Sequence, residues 1–191
     1  VNENSYAVKG ENGAVGKGGV VLTFSLQNGA FTSDLSALTI GKYTIREVEA
    51  PKGYTLYGNT SVTIEITTNG ATAETELADK VIRGGFKIQK QDIETGTYAQ
   101  GDTNLQTTFK IVNTGTNPVW VDSNGNGKLE DNEMYANGDT IKLPEGKVTV
   151  GTVTADEDGN PTFTTDKDGY FEIAEDVLPY SSYRIVETVC P

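Results

Sequence analysis

The sequence has no histidine and almost no cysteine, and these absences exclude several kinds of active site. Its 191 residues include no His, one Cys, one Met and one Trp. Without His, a Ser-His-Asp triad, a His general base and a His-ligated zinc site cannot form. A single Cys excludes an intrachain disulfide and any CxxC metal or redox motif.

Positive charge and long apolar runs are also scarce. The 27 Asp and Glu residues outnumber the 15 Lys and Arg residues, so the formal net charge is -12. A chain this acidic opposes the phosphates of nucleic acid, which require a basic face. No apolar run approaches the roughly 20 residues that span a bilayer, and no signal peptide opens the sequence. We therefore expect no nucleic-acid partner and no membrane insertion by this segment.

The apolar residues alternate with polar ones, which is the pattern of half-buried strands. Turn-forming pairs such as Asn28-Gly29, Asn69-Gly70 and Asp168-Gly169 separate the alternating stretches. Short strands with such turns every 8–12 residues are typical of a β-sandwich. The clearest alternating sets are Val20, Leu22, Phe24 and Leu26; Tyr43 and Ile45; Val62, Ile64 and Ile66; Phe86 and Ile88; and Tyr183 and Ile185.

One phrase occurs twice along the chain. The spacing Leu-x4-Tyr-x3-Glu-x3-Pro covers residues 38–51 and again residues 178–191. Such an internal repeat predicts two related domains in tandem. A Gly-Gly pair at residues 84–85 joins two strands, so we place the boundary there and predict domains at 1–83 and 84–191.

Four ionisable residues share strand faces with apolar neighbours. Residues i, i+2 and i+4 of a strand point to one face, which puts Glu47, Asp79, Lys90 and Glu187 beside apolar side chains. An unpaired charge in a core costs several kcal/mol or shifts its pKa until it is neutral. These residues must therefore pair, react, or lie at strand ends where they reach water.

The sequence resembles the Cna B-type domains, also called SpaA-like or prealbumin-like, of Gram-positive pilin and cell-surface adhesin proteins. Residues 41–54, GKYTIREVEAPKGY, resemble the E-box strand of that family, and residues 85–191 resemble a second copy. Its phrases FKIQKQD at 86–92 and FKIVN at 109–113 carry the second resemblance. The resemblance implies two tandem Ig-like β-sandwich domains of an extracellular, cell-wall-attached protein.

The family also implies an intramolecular isopeptide bond between a Lys on the first strand and an Asn or Asp on the last, assisted by the E-box Glu. In the first domain this assigns Glu47 as the assisting acid and Asp79 as the acceptor. Lys9 lies at the expected distance for the nucleophile. However, Tyr6 and Val8 would share the inner face of a strand. Lys9 would then point to the opposite face, away from the core, unless a β-bulge shifts it.

The second domain offers Lys90 and Glu187 but no acceptor strand, because the sequence continues only four residues past that Glu. The domain stays unlinked, borrows a strand from another chain, or belongs to a longer protein; we favour the last. The bond would form once in each molecule. We therefore expect no enzyme acting on an external substrate.

Residues 122–133, DSNGNGKLEDNE, fit the EF-hand loop pattern D-x-[DN]-x-[DN]-G-x5-E. Asp122, Asn124, Asn126 and Glu133 would supply side-chain oxygens and Lys128 a backbone carbonyl. The flanking sequence is poor for helices, and the phrase also resembles calcium loops in the B-type repeats of serine-aspartate-rich staphylococcal surface proteins. A solvated Asn/Gly-rich turn is the alternative, but we favour calcium.

We therefore predict a structural stalk or pilin module that contacts neighbouring domains of the same surface protein. The alternative is an adhesin module that binds a host extracellular-matrix glycoprotein or glycan. Its ligand would contact the long insert from about residue 113 to residue 166, since loops carry most binding sites.

Overall fold

The computed structural model describes residues 40–47, 49–71 and 73–191, and it confirms the predicted all-β fold. Every strand pairing in this part of the chain is antiparallel. The strands are β1 (Gly41–Arg46), β2 (Tyr54–Leu56), β3 (Ser61–Ile66), β4 (Asp79–Val81), β5 (Arg83–Gly84), β6 (Lys87–Gln89), β7 (Thr108–Asn113), β8 (Val119–Trp120), β9 (Met134–Tyr135), β10 (Val148–Val150), β11 (Thr152–Ala155), β12 (Pro161–Thr164), β13 (Tyr170–Ile173), β14 (Leu178–Pro179) and β15 (Tyr183–Val189). Single 3-10 turns occupy Asp131–Glu133 and Glu145–Lys147. In the described ranges, no helix has the length and apolarity to cross a membrane.

The chain divides into two compact units, and each unit consists of more than one segment of the sequence. The first unit contains the described residues 40–47, 59–71 and 73–77, and the second contains 49–58 and 78–191. The predicted domain boundary between residues 83 and 84 remains a prediction.

The first unit contains the β1–β3 pair, whose register explains which side chains are half-buried. Tyr43 lies opposite Ile64 and Ile45 lies opposite Val62, so these apolar side chains share one face. On the other face, exposed Lys42 lies opposite Glu65, with a charged-atom distance of 4.0 Å. The apolar and polar residues that alternate in the sequence of β1 and β3 therefore lie on opposite faces of this sheet.

Two sheets form the body of the second unit, in the orders β11-β12-β7-β15 and β10-β13-β6. Aromatic side chains from both sheets meet in its core. The Phe163 ring lies 4.3 Å from that of Phe171, 5.6 Å from Phe109 and 5.7 Å from Phe86, measured between centroids. The buried apolar core consists of Phe109, Ile111, Val119, Val121, Tyr135, Ile141, Leu143, Phe163, Phe171, Ile173, Val177 and Leu178.

Strand β15 is an edge strand, because β7 is its only partner among the described residues. The Thr114 N–H donates to the Ser182 carbonyl, so the antiparallel ladder turns the backbone groups of Tyr183 and Ile185 away from β7. Ile185 is 40% exposed, whereas its cross-strand partner Ile111 is 1% exposed. The inner face of the sheet is therefore open along this edge.

An open groove of about 320 Å³ lies beside this edge. Its lining includes Phe86, Ile111, Tyr183 and Ile185, together with the backbone of β5 and β14. Strand β6 is the edge of the other sheet, and Lys90 directly follows it. The groove is thus bordered by Phe86, which precedes β6, and by β15, the strand that carries Glu187.

Candidate functional site

Glu47 directly follows β1 and continues the face that Tyr43 and Ile45 occupy. It is half-buried, and its backbone N–H donates to the Thr60 carbonyl at 2.9 Å, which extends the β1–β3 ladder by one bond. The predicted nucleophile Lys9 lies outside the described residues. Glu47 thus lies on the half-buried face, as the alternation of Tyr43 and Ile45 predicts.

Asp79 opens β4, where it lies opposite Leu56 of β2. The residue is half-buried, and its Oδ1 atom is shielded from solvent without a hydrogen-bond partner in the described part of the chain. Most buried polar atoms in proteins are hydrogen-bonded, and an unmet one costs about 1–3 kcal/mol. A buried carboxyl oxygen without a partner among the described residues therefore calls for a chemical explanation.

Lys90 and Glu187 form an ion pair at the open edge of the second unit. The Lys90 Nζ donates to Glu187 Oε1 at 3.0 Å and to Oε2 at 2.8 Å. Lys90 is positioned by its own backbone N–H, which donates to the Gly169 carbonyl, and Glu187 by its place opposite Phe109. The sequence placed both residues on inner faces, and the fold brings their charged groups together.

The electrostatics of this pair favour the carboxylate form of Glu187. The hydrogen bond from Lys90 lowers the pKa of Glu187 below its ordinary value, and a further hydrogen bond from the Cys190 thiol adds to the effect. The side chains are 29% and 31% exposed, so water still reaches both. Amide formation requires an uncharged amine and the exclusion of water, so this chemistry would need a further segment to cover the pair.

Cys190 is a member of this cluster that the sequence analysis missed. It is exposed, and its hydrogen bond to Glu187 raises the pKa of the thiol. Because the thiolate is the reactive form, this contact suppresses nucleophilic chemistry at the sulfur. Cys190 follows Glu187 by three residues, a spacing that gives no sign of the contact, since β15 changes register after Glu187.

The loop at 122–133 folds around Asp122. Its Oδ1 accepts the N–H groups of Gly125 at 2.8 Å and Asn126 at 3.0 Å, and its Oδ2 accepts that of Gly127 at 2.8 Å. Gly125 and Gly127 adopt φ angles of 76° and 73°, in the left-handed region that favours glycine. The Asp122 carboxylate thus stabilises a tight turn by accepting hydrogen bonds from the turn's own backbone N–H groups.

The two asparagines that were predicted as ligands, Asn124 and Asn126, also form hydrogen bonds within the loop. Asn124 Oδ1 accepts the Asn126 N–H at 2.9 Å, and Asn126 Oδ1 accepts the Lys128 N–H at 2.7 Å. Their amide groups donate to the two carboxylate oxygens of Glu130, at 2.9 and 3.0 Å. Glu130 is therefore an acidic member of the loop that the sequence pattern did not single out.

Glu133, at the last position of the loop pattern, is 1% exposed. Its Oε2 accepts the Trp120 indole N–H at 3.3 Å, and its Oε1 accepts the Ser123 hydroxyl and the Asn124 N–H, both at 3.0 Å. Burial by itself would raise the pKa of Glu133, but these donors hold the pKa below its ordinary value. The buried group is therefore a carboxylate that neutral donors stabilise.

Trp120 links this carboxylate to Arg83 of β5. The Arg83 guanidinium donates to the Trp120 carbonyl at 3.2 Å and to the Val177 carbonyl at 2.8 Å, and it lies 5.2 Å from the centroid of the indole ring. Burial lowers the pKa of Arg83, although the group stays charged. These bonds tie the base of the loop to the groove-lining strands.

The loop contains the kinds of oxygen atom that a calcium site needs. Carboxylate, amide and backbone oxygens are the ligands that calcium prefers, and the loop supplies all three kinds. The side-chain oxygens of Asp122, Asn124 and Asn126 already accept loop N–H groups, so a cation would use their remaining lone pairs. In the described ranges, no three Asp, Glu, His or Cys side chains are grouped closely enough to hold a metal ion. The donor chemistry fits calcium, but Glu133 would have to turn from Trp120 toward the loop.

Residues 8–81 match the family model of the SpaA prealbumin-like fold domain. This match confirms the resemblance that the sequence showed for that part of the chain. Comparison with curated proteins and with solved structures gave no match.

Proposed function

We propose that this chain is a structural module of a Gram-positive pilus or cell-wall-attached surface protein, stiffened by an intramolecular isopeptide bond. The SpaA prealbumin-like domain at residues 8–81 supports the surface-protein assignment. Such a module acts outside the cell, where it transmits force between neighbouring domains. A covalent tie between distant strands resists unfolding because the chain cannot separate without breaking a bond.

The observation that carries the isopeptide proposal is the buried Oδ1 of Asp79, which has no hydrogen-bond partner among the described residues. The proposed reaction joins the Nζ of Lys9 to the Cγ of Asp79. The C–N bond forms, the bond from Cγ to one carboxyl oxygen breaks, and water leaves. Glu47 passes the proton from the amine to the departing oxygen. The step requires a neutral amine and a protonated acid, which burial of an amine beside a carboxyl group favours in general, and two groups held at contact distance would gain a high effective molarity.

In the second unit, the same chemistry needs a strand that the described residues do not supply. Lys90 and Glu187 are paired, and in the described ranges no Asp or Asn side chain lies within hydrogen-bond distance of the Lys90 amine. An extended segment added beside β15 would meet the outward backbone groups of Tyr183 and Ile185. It would also cover the pair and exclude water. We infer that this second site stays an ion pair until such a strand is present.

Intact-mass spectrometry tests the isopeptide proposal. The purified chain should weigh one water less than its sequence mass, because one Lys–Asp bond releases one water. Glu47→Gln should restore the full mass, and so should Lys9→Arg. Glu187→Gln is the matched control: we expect no bond at the second site, so this variant should leave the deficit unchanged. A wild-type chain with its full sequence mass would remove the cross-link from this protein.

A second proposal concerns calcium, and the filled ligand positions at residues 122–133 support it. When bound, the ion would tie Asp122, Asn124, Asn126, the Lys128 carbonyl and Glu133 together, and it would serve to stiffen the loop. Modest affinity is expected, because only two of these ligands are charged.

Trp120 makes the calcium proposal directly measurable. It is the single Trp of the chain and contacts Glu133, so calcium that recruits Glu133 should change its fluorescence. Calcium at about 100 times its Kd should also stabilise the fold by about 2.7 kcal/mol relative to chelator. Asp122→Asn should weaken both responses, whereas Asp158→Asn in another exposed turn should not. Identical melting with calcium and with chelator would count against the site.

A further inference from the structure

Six Asn-Gly pairs occur in the sequence, and four of them lie in the described ranges, at Asn69, Asn124, Asn126 and Asn137. We propose that Asn69 is a site of spontaneous deamidation and that the fold protects the other three. In this reaction the backbone nitrogen of the following residue attacks the Asn side-chain carbon. Glycine favours the attack, because no side chain crowds the five-membered ring that forms. By sequence alone, the four pairs are equally reactive.

Asn69 and Gly70 form the tip of an exposed turn after β3. The turn is closed by the Ala71 N–H, which donates to the Thr68 carbonyl at 3.2 Å, and Gly70 has a φ of 77°. In the described ranges, the Asn69 side chain and the Gly70 N–H take part in no hydrogen bond. Both reacting groups are thus exposed to solvent and free to approach each other.

The pairs in the 122–133 loop are held at both reacting groups. The N–H groups of Gly125 and Gly127 donate to the two carboxylate oxygens of Asp122, both at 2.8 Å. The preceding asparagine amides donate to Glu130. Attack at either asparagine therefore requires the loss of a hydrogen bond to a charged acceptor, which slows the reaction by about tenfold or more.

The fourth pair is held by neutral partners. The Gly138 N–H donates to the Asn113 carbonyl at 2.8 Å, and the Asn137 amide donates to the Gly115 carbonyl at 2.9 Å. Asn113 is fully buried, which fixes that acceptor in the core. Local opening must precede reaction here as well.

The proposed chemistry needs only water. The Gly70 nitrogen loses its proton and bonds to the Asn69 Cγ, and the side-chain amide leaves as ammonia. Water then opens the resulting succinimide at either carbonyl, which gives Asp or isoaspartate. The product carries one negative charge beyond the formal -12 of the chain. IsoAsp also lengthens the backbone of the turn by one methylene.

Peptide mapping of the whole folded chain, incubated in mildly alkaline buffer, tests the proposal. Asn69 should deamidate about tenfold or more faster than Asn124, Asn126 and Asn137. The four rates should converge in concentrated urea, because unfolding removes the protection. Equal rates in the folded chain would overturn the proposal. A ratio that persists in urea would overturn it too, since the difference would then come from local sequence.

Two variants distinguish an effect on the reacting groups themselves from an effect of lower overall stability on the deamidation rates. Gly70→Ala should slow the reaction at Asn69 and leave the other three sites unchanged; an added Cβ there meets no atom within 4 Å, and its cost is the strain of alanine at a φ of 77°. Asp122→Ala should accelerate Asn124 and Asn126 without affecting Asn69, because it releases the Gly125 and Gly127 N–H groups. No acceleration in Asp122→Ala would contradict the protective role of these bonds.

Discussion

The cross-strand pair Ile111 and Ile185 offers a matched test of the open edge. Both side chains face the groove from adjacent strands, in direct register, and they differ in what covers them. Ile111 is 1% exposed and Ile185 is 40% exposed. The same substitution, Ile to Ala, should therefore have two different costs in the free energy of unfolding.

The magnitudes follow from burial. Ile111→Ala removes a side chain from a packed core and leaves a cavity, which costs about 2–5 kcal/mol. Ile185→Ala removes a side chain that is only partly buried, at an edge where water fills the space, so we expect about 1 kcal/mol. With a typical urea m-value of about 2 kcal/mol per M, a difference of about 2 kcal/mol separates the midpoints by about 1 M.

Urea unfolding followed by Trp120 fluorescence measures both variants, since that residue lies in the same unit. The m-value should stay constant, so that the midpoint reports stability alone. Ile93→Ala is the control: this side chain is 98% exposed, and its loss should change stability by less than about 0.5 kcal/mol. If Ile185→Ala cost as much as Ile111→Ala, then Ile185 would be covered in solution and the open-edge reasoning would be refuted.

Two further predictions concern the second unit. Because Lys90 lowers the pKa of Glu187, the pair should stabilise the fold at neutral pH and lose its effect as the pH falls through that lowered pKa. Glu187→Gln should therefore be less stable than wild type at neutral pH by up to about 1 kcal/mol and equal to it in strong acid, and a constant difference across the titration would contradict this. Gly151→Ala should destabilise by at least about 1 kcal/mol in thermal melting, because φ is 83° and the new Cβ would lie 2.5 Å from a Phe171 carbon and from the Thr164 carbonyl. An unchanged melting temperature would show that the β10–β11 corner can shift.

Several structural features were predictable because a strand repeats every two residues. The alternation of Tyr43 and Ile45 correctly predicted the half-buried face of β1 and the place of Glu47 beyond it. The same periodicity placed Lys90 and Glu187 on inner faces, where they form the ion pair. Periodicity succeeds here because it depends only on local backbone geometry.

The partners of individual groups were not predictable in this way. The loop pattern predicts Glu133 as a metal ligand, and this stays a prediction, but the pattern does not indicate that the Glu133 carboxylate accepts the Trp120 indole N–H. That contact joins Trp120 of β8 to the 3-10 turn that precedes β9, so it depends on how β8 and β9 pair. The spacing within the loop carries no information about it, because the pattern describes ligands and not the surrounding core.

The sequence by itself determined the all-β class, the faces of the strands and the resemblance that the match at residues 8–81 bears out. Only the tertiary structure decided which of those faces are covered. Ile111 and Ile185 both lie on the inner face of their strands, and the sequence pattern does not distinguish them. Ile111 is buried and Ile185 is exposed, because β15 has no second neighbour in the described part of the chain. The physical reason is that periodicity is a local property, whereas burial depends on segments far away along the chain.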